Sequence, residues 1–306
     1  MYIKHVFIGN YDDIKYKSEI TLQDKDKIDG FLVADYIKIV LVKSHITFKL
    51  SNPNSIYCDS IIMKPMNCIF SETYDLYDPL TIKKINFKIT AEYLNSVFRR
   101  GKVKVLDYLK SRLEWTPALL QNVHPMYIGS ATNNVNVLEW WKNSGLPIEY
   151  NENVLRYASK KAHFDVLDWW LNSGLPLIYD EDILDYLLIL RDWWDDSKRL
   201  DNAEIDLLNW WKNSGLTLKY SNRALLNASR NSQYNNINVL NWWKNSGLPL
   251  KYDINTFYAV SSQCSTGVLE WWKNSGIKLK LSCRNIALND FQYKYHVCDW
   301  WFEENT

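Results

Sequence analysis

Five times the chain writes two adjacent tryptophans, one further residue and then Asn-Ser-Gly. The copies are Val137–Tyr150, Val166–Tyr179, Leu207–Tyr220, Val239–Tyr252 and a shorter one from Val268; a last fragment, VCDWW, begins at Val297. In VLDWWLNSG, Val166 meets Trp169 and Trp170 at i+3 and i+4, and Leu167 meets Trp170 and Leu171 the same way. Asp168, Asn172 and Ser173 are polar. This pattern predicts a short helix with a wide apolar face. Gly174 is placed to end it, because glycine adopts the left-handed conformation without a Cβ penalty. Leu175 and Trp170 then take the C″ and C3 positions of a Schellman motif. Pro176 forbids continuation. Gly145, Gly215, Gly247 and Gly276 hold the same place, so all five glycines are expected at positive φ.

Upstream, ENVLRYASKKAHF predicts a first helix, with Val154, Leu155, Tyr157 and Ala158 apolar and Ala158-Ser159 small enough for close approach. Each unit therefore reads helix, tight turn, helix, loop. One such unit cannot bury its apolar faces, whereas stacked neighbours can. The first tryptophans stand at 140, 169, 210, 242, 271 and 300, giving gaps of 29, 41, 32, 29 and 29. The base period is 29 residues, and the longest gap implies an insertion near 190–206 carrying Trp193 and Trp194. The repeated tryptophans, Trp169 and Trp170 among them, are expected to pack the core, one of each pair only partly covered.

These letters resemble the ankyrin repeat family, whose helix pair reads roughly T-P-L-H-x-A-A-x-x-G-H-x-x-V-V-x-x-L-L-x-x-G-A. Ala158-Ser159 fall on the small pair, Ala162-His163 on Gly-His, Val166-Leu167 on the branched pair and Gly174 on the closing glycine. Ser96–Ser111 matches without any tryptophan, through Val97-Phe98, Gly101-Lys102 and Val105-Leu106; Met126–Trp141 fits between. The period of 29 falls short of the family's roughly 33. The shortfall lies after the closing glycine, so stubby loops are expected in place of projecting fingers. The Trp-Trp variant is also similar to repeats of large DNA viruses of amoebae and of some AT-rich eukaryotic microbes. The resemblance implies a mainly α fold: an ankyrin-like helical-repeat solenoid of about seven repeats over 89–306, preceded by a small β-containing module over 1–88. In that module Tyr36–Leu50 alternates like strands, and Ile56–Phe70 reads as a strand pair around Lys64-Pro65. Capping of the solenoid's exposed end is the role expected of it.

Chemistry is harder to find. The 5 histidines are scattered, and the 5 cysteines contain no C-x-x-C, so neither a zinc site nor a disulfide framework is expected. No phosphate-binding loop, dinucleotide fingerprint or nucleophile elbow occurs. Asp195-Asp196 reads as part of an exposed insertion. The absence of an apolar leader and of any 18-residue apolar run predicts a soluble, cytoplasmic protein, in the host cytoplasm or a virion if viral. A formal charge of +1, from 36 basic and 35 acidic residues, gives no overall attraction to nucleic acid or membrane.

The expectation is a non-enzymatic protein–protein interaction scaffold without cofactor or metal. Its alternative is a structural subunit of a larger assembly. In the ankyrin register the two residues after the small pair face the concave side. Here they include Arg99, Arg100, Lys160, Lys161, Arg230, Asn231 and Gln263, whereas the framework around them repeats. The basic ones imply a partner protein with an acidic segment.

Overall fold

The computed structural model describes residues 2–8, 20–22, 36–43, 49–50, 61–63, 68–186, 203–230, 236–253, 256 and 266–277. The protein is mainly helical and divides into two compact units, Met1–Tyr150 and Asn151–Thr306.

The first unit begins with two three-stranded antiparallel sheets. Strand β1 (Tyr2–Ile8) pairs with β3 (Tyr36–Lys43), from Tyr2 opposite Lys43 to Ile8 opposite Ile37. Strand β3 also pairs with β6 (Cys68–Asp75), with a register shift between Lys38 and Val40. The second sheet sets β5 (Ile61–Met63) between β2 (Ile20–Leu22) and β4 (Lys49–Leu50). The segments flanking Lys64-Pro65 are therefore strands, but β5 and β6 belong to different sheets and do not form the expected pair.

Helix α1 (Pro79–Ile85) lies inside the segment read as β-containing. Its signals are local. The Asp78 carboxylate accepts from the Leu80 N–H, Pro79 occupies the first turn, and Asn86 ends the helix at φ 52°. The chain leaving β6 packs on the next helix, α2 (Ala91–Arg99). There Tyr93 donates its hydroxyl to the Leu76 carbonyl at 2.8 Å and stacks on Tyr77 at 5.6 Å. Thr90 caps α2, and Tyr93, Leu94, Val97 and Phe98 form its buried stripe.

Helices then come in pairs: α2 with α3 (Val103–Lys110), and, after the short α4 (Pro117–Leu120), α5 (Pro125–Ala131) with α6 (Val135–Lys142). Within this unit α2 packs on α5 and α3 on α6. The second unit continues with α7 (Asn153–Lys160) and α8 (Phe164–Asn172), then α9 (Asp182–Asp185) and α10 (Ala203–Asn213). It goes on with α11 (Arg223–Arg230), α12 (Asn236–Asn245) and α13 (Thr266–Asn274). First helices stack α7 on α9 on α11, and second helices stack α10 on α12 on α13. Residues 203–206 belong to α10, not to an insertion; the rest of the predicted insertion, with Trp193, Trp194 and Asp195-Asp196, lies outside the described residues.

The two ends of each pair close differently. Gly145, Gly174, Gly215, Gly247 and Gly276 all have positive φ, between 73° and 80°. Yet the Schellman pattern expected there closes the first helix instead. After α7, His163 N–H donates to the Ala158 carbonyl at 2.9 Å and Ala162 N–H to Ser159 at 3.0 Å, with Ala162 at φ 50°. The same pair of bonds follows α2, with Gly101 in the left-handed position. At the end of the second helix a serine hydroxyl takes over. Ser173 Oγ donates to the Trp170 carbonyl at 2.8 Å and accepts from Leu175 N–H at 3.1 Å. Ser144, Ser214, Ser246 and Ser275 repeat both bonds. A short hydroxyl side chain two residues before an exposed N–H competes well with the main-chain acceptor.

The repeat framework and the candidate interaction surfaces

In the five pairs among the described residues the second tryptophan is core: Trp141, Trp170, Trp211, Trp243 and Trp272 are at most 2% exposed. The first is half-buried in each of these five. In four copies its ring stands edge-on to its neighbour, as with Trp169 and Trp170, 5.2 Å apart at 83°; Trp140 and Trp141 are tilted at 45°.

In four copies the half-buried tryptophan couples its second helix to the one before. In the second unit Trp210 donates its indole N–H to Asp168, Trp242 to Asn209 and Trp271 to Asn241, each at 2.7 Å. In the first unit Trp140 donates to Asp107, also at 2.7 Å. The acceptor is always the residue just before the tryptophan pair, or its equivalent in the copy without tryptophan. That position reads Asp107, Glu139, Asp168, Asn209, Asn241 and Glu270, all oxygen-bearing. The signal was present in the sequence, but a polar residue on a polar face has an ordinary reading that hides it.

The buried indoles find partners too. Trp211 donates to Ser159 Oγ at 3.1 Å and Trp272 to Ser229 Oγ at 3.0 Å, so the second residue of the small pair is an acceptor as well as a small one. In the first unit that position is Phe98, which meets Trp141 edge-on at 5.5 Å; the Trp141 N–H goes to the Pro147 carbonyl. The loops stack by a third ladder. Tyr179 accepts Lys219 Nζ on its carbonyl at 2.9 Å and donates its hydroxyl to Thr217. Tyr220 does the same with Lys251 and Pro249. Each ammonium also lies 4.4 Å from the tyrosine ring centre. Asp185, 1% exposed, spends both oxygens on the N–H and hydroxyl of Ser221. Among the described residues no group of three or more metal-ligating side chains occurs, and no helix is long and apolar enough to cross a membrane.

The predicted partner-facing residues fall at one structural position, the last residue and C-cap of the first helix. Arg99 ends α2 and is exposed; Arg100 caps it, its guanidinium 4.7 Å from the Tyr77 ring centre. Lys160 ends α7 half-buried and Lys161 caps it exposed; Arg230 ends α11 exposed. Cations there also complement the negative end of the helix. Asn231 and Gln263 lie outside the described residues. The nearby acids Asp180 and Asp182 are engaged by Arg156, at 2.6 and 3.3 Å.

Sequence reasoning did not find a second feature. A groove of about 900 Å³ runs between α3 and α6 in the first unit, and one of about 490 Å³ between α10 and α12 in the second. Lys110, Asn136, Trp140 and Asn143 line the first; their repeat equivalents Lys212, Asn238, Trp242 and Asn245 line the second. Two grooves in separate units thus share one set of repeat positions.

No family model, no curated protein and no solved structure matches the chain.

Proposed function

We propose that the protein is a non-enzymatic interaction scaffold: an ankyrin-like solenoid of stacked helix pairs that holds a partner protein on the ends of its first helices. What carries this reading is a separation of roles. The residues that join one helix pair to the next keep their chemistry, an indole donor and an oxygen acceptor, whereas the position after the small pair runs Arg99, Ala131, Lys160, Ile189, Arg230 and Ser262; Arg99, Lys161 and Arg230 face solvent. A framework that repeats while one surface position varies is what binding to a particular partner requires of a solenoid. In this reading the β-containing segment caps the array, and the basic helix ends, Arg99 and Arg100 in the first unit and Lys160, Lys161 and Arg230 in the second, receive an acidic protein segment. Asn231 and Gln263 belong to the same proposed set by their place in the repeat alone. The chain's balanced overall charge favours a local protein contact over a phosphate backbone, which draws on a broader basic surface.

The test uses a fluorescein-labelled twelve-residue oligoglutamate peptide, with the whole chain and with K160E/K161E. The reading predicts salt-sensitive binding that the double reversal weakens; the single reversal K161E, at the exposed position, should weaken it in part without moving the melting temperature, since exposed charges contribute little to stability. Equal binding by both proteins would remove these helix ends from the site.

A further inference from the structure

The grooves between consecutive second helices have no role in the basic helix ends; their walls hold the ladder bonds Trp140–Asp107 and Trp242–Asn209, but the rest of their lining is not used by the framework. Their walls share one lysine, one half-buried indole and two asparagines at matching repeat positions in both units; Lys102 and Lys104 line the first groove as well. In the second groove four asparagines converge: Asn209, Asn238, Asn241 and Asn245. The side-chain oxygens of Asn209 and Asn241 receive the indoles of Trp242 and Trp271, which fixes both amides and leaves their NH2 groups to the groove. Asn238 and Asn245 are exposed, and neither makes a side-chain hydrogen bond within the described residues.

We infer that these grooves bind an extended polypeptide segment of a partner, held through its main chain by the asparagine amides. A primary amide offers one acceptor and two donors in a plane, the complement of a peptide unit's C=O and N–H. The spacing agrees. Packed helices lie about 8–10 Å apart, and three residues of extended chain span about 10 Å. A peptide crossing from α10 to α12 therefore meets the asparagine that precedes Ser-Gly, Asn213 then Asn245, at every third residue; the Asn238 position carries asparagine only here and at Asn136, and in the first groove Asn143 already donates to Glu139. Main-chain hydrogen bonds would supply affinity at each step, and the indole would cover the apolar part of one side chain per repeat. Where the repeat changes, selectivity changes with it. Asp107 and Glu139 in the first groove stand where Asn209 and Asn241 stand in the second, and Lys102, Lys104 and Lys110 line it as well, so the first groove offers charged side chains of both signs where the second offers amides and one lysine. A sugar is the weaker fit, because no carboxylate lines the second groove to accept from adjacent hydroxyls.

The inference does not rest on the basic helix ends. Its test begins with selection from a phage-displayed library of random twelve-residue peptides on the full chain, followed by anisotropy with the labelled winners. N238A/N245A removes two exposed amides without an intramolecular partner, so its melting temperature should match the parent. Peptide affinity should fall about tenfold or more, the loss of one or two hydrogen bonds, while K160E/K161E binds as before. N-methylation of alternate peptide bonds should abolish binding. The inference is overturned if no peptide is selected, if the winners are indifferent to N238A/N245A or to N-methylation, or if chitohexaose or cellohexaose binds through Asn238 and Asn245 instead.

Discussion

Trp210 donates its indole N–H to the carboxylate of Asp168, 42 residues earlier and 2.7 Å away. One side chain thus reads the position of the preceding second helix. Asp168→Ala leaves that N–H to solvent and should cost about 1 kcal/mol in urea denaturation. Asp168→Asn should cost less than about 0.5 kcal/mol, because Asn209 and Asn241 already do the same task in later copies. If the alanine variant is as stable as the asparagine variant, the bond does not join the helices.

The two tryptophans of a pair should differ when truncated. Trp170 is 1% exposed, and its replacement by alanine should cost about 3–5 kcal/mol. Trp169 is half-buried, and its loss should cost clearly less. Chemical denaturation of both variants gives the comparison; equal losses would contradict the assignment of one core and one coupling residue.

Backbone strain makes opposite predictions at two turns. Gly174 has φ 74° and an added Cβ would meet nothing within 4 Å, so Gly174→Val tests the backbone alone. A loss of about 1–2 kcal/mol is expected. Ala162 carries a Cβ at φ 50°. Ala162→Gly relieves that penalty, partly offset by glycine's greater freedom when unfolded, and should stabilise by about 0.5–1 kcal/mol. Thermal melts of the two variants should move in opposite directions.

How much of this was legible in the sequence follows from how local each signal is. The glycines and Pro176 act within one turn, so the helix ends and the positive φ values could be read directly. The burial of one tryptophan per pair followed from helical spacing. The Trp210–Asp168 bond depends on how neighbouring copies stack, which one copy does not encode. Ser173 read only as a polar residue before Gly174, because its two hydrogen bonds need coordinates to see. Helix α1 was missed because Asp78-Pro79 and Asn86 enclose only 7 residues, too short for periodicity to declare itself. The asparagine grooves were hidden for the same reason as the ladder: each wall comes from a different copy.

Burial pushes the Tyr93 phenol above the ordinary tyrosine value of 10.0, and Tyr77 and Asp75 push the same way. The folded state therefore holds the proton more tightly than the unfolded chain. Its contribution is complete below the unfolded value and is lost as the pH rises from there toward the folded one. Stability should fall above about pH 10, and Tyr93→Phe should flatten that fall while costing stability at neutral pH through the lost bond to Leu76. An unchanged alkaline profile in the phenylalanine variant would place the loss elsewhere.

The central claim, that stacked helix pairs are joined by an indole-to-acceptor ladder, is tested most directly by a double-mutant cycle on Trp242 and Asn209. Trp242→Phe keeps an aromatic ring but removes the N–H, and Asn209→Ala removes the acceptor 2.7 Å away. The ladder predicts a coupling of about 0.5–1.5 kcal/mol between the two changes in urea denaturation. Effects that add to within about 0.3 kcal/mol would mean that the two residues do not interact, and the ladder would be contradicted.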